Sequence, residues 1–110
     1  MTQEIKGYIA KYSNEIQSLY DKLRSLILKS CNENITEKLW AKLPSYYVGE
    51  NFVRLIPFKD HINIEASDIG NHKDKLSEYK ITPKGMLQIY LNQDIPEQLL
   101  INIFNNTLSK

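Results

Sequence analysis

The segment from Leu43 to Glu65, LPSYYVGENFVRLIPFKDHINIE, constrains the fold most strongly, because it has the pattern of two consecutive β-hairpins. Apolar, aromatic and branched residues fill positions 52–58, a polar pair follows at 59–60, and positions 61–66 alternate strictly between polar and apolar residues. Such alternation is typical of a strand with one face in the core and one toward solvent. A chain reversal at 59–60 therefore determines which residues share each face of a sheet.

The second hairpin predicts the two faces residue by residue. Reversal at Lys59-Asp60 places Arg54 opposite Glu65 as a cross-strand ion pair. One face then faces the core and carries Val53, Leu55, Pro57, Ile62, Ile64 and Ala66. The other, outer face carries Phe52, Arg54, Ile56, Phe58, His61, Asn63 and Glu65. It is unusually apolar for a solvated surface, so we expect it to be covered by another element or subunit, or to bind a ligand.

The first hairpin has two possible registers. A two-residue turn before Phe52 puts Tyr46 and Val48 inside, whereas a three-residue turn puts Tyr47 inside. The residues before this hairpin, from Asn34 to Leu43, predict an irregular or extended segment.

Helical periodicity surrounds the hairpins. Ser13 is a predicted N-cap for the strongest amphipathic helix, which should end near Cys31, after a short opening helix. Ser67 or Asp68 is the predicted cap of a helix running to about residue 79, and Asp94 the predicted cap of the last helix. With a strand at 86–91, residues 1–110 predict a single α+β domain with an antiparallel sheet packed on one face by helices, in the order α-α-β-β-β-α-β-α. The predicted core includes Leu23, Ile27, Val53, Leu55, Ile62, Ile64, Leu100 and Phe104.

Composition excludes several classes of protein. Fourteen basic and 13 acidic residues are interleaved along the chain, which argues against a strongly electrostatic nucleic-acid binder. Cys31 is the only cysteine, so neither an intramolecular disulfide nor a thiolate metal cluster can form. The sequence has no apolar run long enough to span a membrane and no apolar signal core. We therefore expect a cytoplasmic protein with no membrane partner, and its oligomeric state is open.

Candidate site residues fall into three groups. Asp68 and His72 are spaced i, i+4 and are candidate metal ligands, although a helix-terminal acid beside an exposed histidine gives the same spacing. Lys84 in the segment TPKG is a candidate anion-binding residue, or part of a plain turn. The candidate binding residues on or beside the outer face are Arg54, Phe58, Lys59 and His61. Neither a phosphate-binding loop nor a nucleophile elbow occurs, so we expect no enzyme.

Several short motifs resemble, in order, the small bacterial YdhG-like proteins, a family of unknown function. They are EKLW at 37–40, LPSY at 43–46, FKDHI at 58–62, YK at 79–80, KGMLQ at 84–88 and IP at 95–96. The resemblance implies a compact α+β fold related in shape to frataxin. It also implies, for some members, a role as an iron chaperone that binds iron weakly and delivers it to an acceptor protein.

Two function hypotheses follow for a non-enzymatic protein. The resemblance implies iron or other metal delivery. The residues themselves indicate a small-molecule or protein-binding module that uses the outer sheet face, with nucleic acid as an unlikely partner because of the neutral charge balance.

Overall fold

Six strands form one antiparallel sheet in the computed structural model, which describes residues 1–109. The strands are β1 (Thr36–Trp40), β2 (Leu43–Val48), β3 (Asn51–Pro57), β4 (His61–Ala66), β5 (Lys80–Ile81) and β6 (Leu87–Tyr90). The helices are α1 (Gln3–Ile9), α2 (Asn14–Lys29), a 3₁₀ helix (Ser67–Leu76) and α3 (Glu97–Leu108). The strand order across the sheet is β1-β2-β3-β4-β6-β5. The α+β class and the antiparallel sheet are confirmed, but the predicted order of elements was wrong because it lacked β1 and β5.

The second hairpin has the predicted register. Arg54 pairs with Glu65 and Ile56 with Asn63, so β3 and β4 share their faces as expected. In the first hairpin Val48 pairs with Asn51, which selects the two-residue turn. Gly49 occupies that turn with φ of 60°, a conformation that costs glycine little.

Strand β1 occupies part of the segment predicted to be irregular or extended. Its inner face carries Glu37 and Leu39, and an acid at an inner position obscures the period-2 signal. Arg24 of α2 neutralises Glu37, with nitrogen-to-oxygen distances of 2.6 and 3.1 Å. A contact between residues 13 positions apart thus permits a strand that local pattern does not indicate.

The core lies between the inner sheet face and the α-helices. α2 and α3 contact β3 and β4, and α1 contacts β1. All eight core residues named from the sequence are fully buried, and they are joined by buried side chains from α1 and the 3₁₀ helix, including Ile5 and Ile69. Packing on one face leaves the outer face of the sheet open.

Helix termini follow the predictions only in part. The Ser13 hydroxyl accepts a hydrogen bond from the Ile16 amide, so the N-cap of α2 is confirmed. The caps at Ser67 or Asp68 and at Asp94 were wrong: the 3₁₀ helix follows Ala66, α3 follows Pro96, and neither terminus has a side-chain cap. None of the helices within residues 1–109 combines the length and apolarity needed to cross a membrane.

Candidate binding face on the open side of the sheet

The outer sheet face presents side chains in rows that cross the strands. Lys38, Ser45, Arg54 and Glu65 form one row, because each pairs with the next across neighbouring strands. A second row toward the β3–β4 turn contains Ile56, Asn63, Gln88 and Lys80. We call the outward-pointing side chains of all six strands, together with the β1–β2 and β3–β4 turns, the open face.

Arg54 is the centre of one cluster on this face. Its guanidinium carbon lies 4.1 Å from the ring centroid of Trp40 and 3.8 Å from that of Phe52. It also donates hydrogen bonds to the Tyr47 hydroxyl at 3.0 Å and to Glu65 Oε1 at 3.2 Å. The side chain is buried although it lies on the outer face, because two aromatic rings enclose it.

Trp40 reaches Arg54 across strand β2, where the small side chain of Ser45 leaves room. The Ser45 hydroxyl accepts a hydrogen bond from Arg54 Nε at 3.1 Å, so this cluster is well ordered. Beside it lies a shallow depression of about 620 Å³, lined by residues that include Lys38, Trp40, Tyr47 and Phe52. Its size is within the range of small-ligand sites, about 300 to 1,000 Å³.

A second cluster is an aromatic stack at the β3–β4 turn. The Phe58 ring lies 4.7 Å from His61 at an interplanar angle of 8°, and His61 lies 4.5 Å from Tyr90 at 25°. These spacings match the distance between neighbouring strands, so the three rings stand upright on the sheet. His61 is held by Asp60, whose Oδ1 lies 2.8 Å from Nδ1, and this hydrogen bond lowers the pKa of the exposed Asp60 carboxyl.

Two aromatic side chains on this face are strongly exposed. Trp40 is 50% exposed and Phe58 42% exposed, and both lie toward the end of the sheet that carries the β1–β2 and β3–β4 turns. The sequence prediction placed Phe58 here but missed Trp40 and Tyr90 as site residues. No local signal identified Trp40, because Glu37 at an inner position of β1 obscures the period-2 alternation.

Asn63 lies in the middle of the open face with an unsatisfied amide. It is 8% exposed, and its Oδ1 atom is the one buried side-chain polar atom within residues 1–109 that has no hydrogen-bond partner. Its Nδ2 atom is 4.0 Å from the sulfur of Met86, a weak acceptor. Buried polar atoms are nearly always paired in proteins, so this position has an unmet hydrogen-bonding capacity.

The predicted binding residues are thus brought together in part. Arg54, Phe58 and His61 share the open face, and Lys59 lies in the turn beside Phe58. Lys84 lies elsewhere, near a cleft at the opposite end of the sheet. The turn around it uses its own backbone groups, since the Gly85 amide donates to the Thr82 carbonyl and the Met86 amide to the Thr82 hydroxyl. These two amides are therefore engaged within the turn.

Asp68 and His72 do meet, but in a network that joins the 3₁₀ helix to α3. Asp68 Oδ2 lies 2.7 Å from His72 Nε2, and the carboxylate accepts further hydrogen bonds from Asn71 at 2.8 Å and Asn106 at 3.0 Å. Burial raises the pKa of Asp68, but these hydrogen bonds outweigh it and leave the pKa lowered. Across residues 1–109 no three or more His, Cys, Asp or Glu side chains are grouped so that they could hold a metal ion.

A polar network under the inner sheet face was not predicted. The Tyr20 and Tyr46 hydroxyls lie 2.5 Å apart, and Tyr46 also hydrogen-bonds Glu37, the partner of Arg24. Burial is the main cause of a raised pKa in both tyrosines, so both hydroxyls stay protonated at neutral pH. Every member has a partner, which indicates a structural role for the network.

The fold and site together define a class: a small α+β domain whose antiparallel sheet is covered by helices on one side and carries ordered aromatic and cationic clusters on the other. Residues 5–101 match the profile of a domain of unknown function, DUF5655, and the chain therefore belongs to that family. Comparison with curated proteins and with solved structures gives no match.

Proposed function

We propose that this chain is a non-enzymatic binding domain that recognises its partner through the open face of the sheet. The observation that carries the proposal is the exposure of Trp40 and Phe58 beside two pre-ordered clusters. Exposed aromatic residues held rigidly by neighbours lose little entropy when they are buried in an interface, which makes them effective anchors.

Substitution of the exposed anchors tests this proposal. Trp40→Ala combined with Phe58→Ser removes both anchors together with the ring contacts to Arg54 and His61. The thermal midpoint should therefore fall modestly, but the chain should stay folded because the inner face is intact. Leu28→Ser is the matched control, because Leu28 is 38% exposed on α2, away from the sheet face. In affinity capture followed by mass spectrometry, partners of the wild-type chain should persist with Leu28→Ser and be lost with the double variant. Equal capture by all three proteins would refute the proposal.

Iron delivery in the cytoplasm, implied by the resemblance to YdhG-like and frataxin-like proteins, stays a prediction. Asp68 and His72 are the nearest pair of candidate ligands, but hydrogen bonds within the fold already engage both side chains. Anaerobic titration with ferrous iron tests it directly. A chaperone should show NMR line broadening confined to a few acidic residues, whereas uniform, weak broadening over the surface would count against delivery.

A further inference from the structure

We propose that the ligand of the open face is single-stranded nucleic acid, bound by base stacking on the exposed rings and by lysines around them. This rests on the proposed function and names the chemistry of its partner. Three features of the face carry it: the free ends of the aromatic clusters, the sign of the local charge, and the shape of the depression beside Trp40.

The ring faces at the ends of both clusters are available for stacking. Phe58 stacks on His61 with one face and is 42% exposed, and continuing the β2–β3 register places the exposed Ala41-Lys42 turn on its other side. Trp40 contacts Arg54 with one face and remains half exposed. Because the rings stand upright, a base can continue either stack, which is the geometry by which sheet aromatics bind unpaired bases.

The two anchors are spaced for more than one base. Continuing the strand register places Phe58 two strands and two residues from Trp40, a separation of about 12 Å. A chain of a few nucleotides spans that distance, and the depression lined by Lys38, Tyr47 and Phe52 lies beside Trp40. Bases paired in a duplex have no free faces, so the arrangement favours single strands.

Charge is segregated toward this face, although the whole chain is nearly neutral. The open face carries two acids, Asp60 and Glu65, against five cationic residues, Lys38, Lys42, Arg54, Lys59 and Lys80. Glu50 of the β2–β3 turn adds one acid to the lining of the depression beside Trp40. The rest of the chain has nine basic and 11 acidic residues. The lysines lie around the aromatic clusters, where phosphates of a bound strand would pass, while Arg54 is already paired with Glu65. The neutral total, which argued against nucleic acid in the sequence, therefore hides a locally positive face.

Fluorescence gives a direct test, because Trp40 is the only tryptophan of the chain. An end-labelled oligo(dT) of about 10 nucleotides, the scale of sites on other sheet platforms, is titrated with the full chain while anisotropy and Trp40 emission are recorded. We expect binding with quenching of Trp40. Raised salt should weaken it with a log-log slope of about −2, the value for about three phosphates neutralised on a single strand.

Variants and competitors separate stacking from charge. Phe58→Ala should weaken binding about tenfold, as expected for one lost stacked base, and Lys59→Ala less, while Leu28→Ala and Lys29→Ala on α2 should bind like the wild type. Inorganic polyphosphate, which has charge but no bases, should compete poorly.

Three results would overturn the proposal: no binding of oligo(dT), equal binding of a duplex of the same length, or binding insensitive to Phe58→Ala. If oligo(dT) fails but the Trp40→Ala, Phe58→Ser variant still loses a captured protein partner, the ligand assignment is wrong and the binding face stands. If that capture is also unchanged, both proposals fail.

Discussion

At the residue scale, Asn63 at the centre of the open face lowers the stability of the fold. Its Oδ1 atom is buried without a partner, and such an atom costs about 1 to 3 kcal/mol. Asn63→Val removes the unsatisfied atom, and valine is favourable in a strand. The free energy of unfolding should therefore rise by about 1 kcal/mol. Urea denaturation measures this change.

Gln88→Val on the neighbouring strand is the control for β propensity, since the Gln88 amide is hydrogen-bonded to Tyr90. A gain no larger for Asn63→Val than for Gln88→Val would show that the unsatisfied atom is not the cause.

The β1–β2 turn contains a second feature that lowers stability, an unfavourable backbone conformation at two residues. Ala41 and Lys42 have φ of 49° and 67°, a conformation that is unfavourable for residues with a side chain. Lys42→Gly should raise the free energy of unfolding by about 0.5 to 1 kcal/mol.

Gly49→Ala is the reverse test, because it adds a side chain at a position with positive φ. Gly49 has φ of 60°, and a Cβ there would meet no atom within 4 Å. It should lower stability by a similar amount through backbone strain alone. Denaturation midpoints that move in the same direction for both variants would contradict this account.

At the scale of elements, the ion pair between Arg24 of α2 and Glu37 of β1 makes the stability of the fold depend on pH. Burial raises the pKa of Glu37, but hydrogen bonds from Arg24 and Tyr46 outweigh it and lower the pKa below its ordinary 4.5. A carboxyl with a lowered pKa in the folded state stabilises the fold above its ordinary pKa, and that contribution is lost as the pH falls through the folded-state value.

Glu37→Gln should therefore cost about 1 to 3 kcal/mol at pH 7, and the difference from the wild type should shrink steadily below about pH 4.5. Urea denaturation across pH 3 to 7 measures it. Glu33→Gln, an exposed position just before β1, should cost little at any pH. A constant difference between Glu37→Gln and the wild type at all pH values would refute the linkage.

Sequence patterns predicted the elements whose signal is local. The β3–β4 hairpin and α2 repeat with their own periods, and each was placed correctly. β1 was missed because its inward Glu37 depends on a distant arginine. The 3₁₀ helix was predicted as an ordinary helix capped by Ser67 or Asp68, but its backbone leaves helical geometry at His72, and Asp68 binds α3 instead.

The same limit applies to the candidate site. Arg54, Phe58 and His61 were predicted together because one hairpin carries them all. Trp40 and Tyr90 belong to strands on either side of that hairpin, so only the sheet order brings them to the face. The local charge excess also depends on which lysines point outward, which composition does not contain.

At the scale of the whole molecule, stability depends on the single core between α2, α3 and the inner sheet face. Leu23→Ala and Ile64→Ala should each lower the free energy of unfolding by about 2 to 5 kcal/mol, as expected for fully buried truncations. Leu28→Ala, on the exposed side of α2, should change it by about 0.5 kcal/mol or less. Calorimetry that finds all three variants alike would exclude this core.

The sheet order described above also has a consequence for how the chain folds. From β1 to β4 every strand pairs with its neighbour in sequence, so four of the six strands can pair one after another through contacts that are short-range in sequence. Longer loops close when β6 docks on β4, when α3 docks on α2, and when α2 docks on β3 and β4. We expect pulsed hydrogen exchange during refolding to protect the β2–β4 amides first and those of β6 and α3 last. The part of the open face carried by β1–β4 would then be assembled before β5, β6 and α3 have docked.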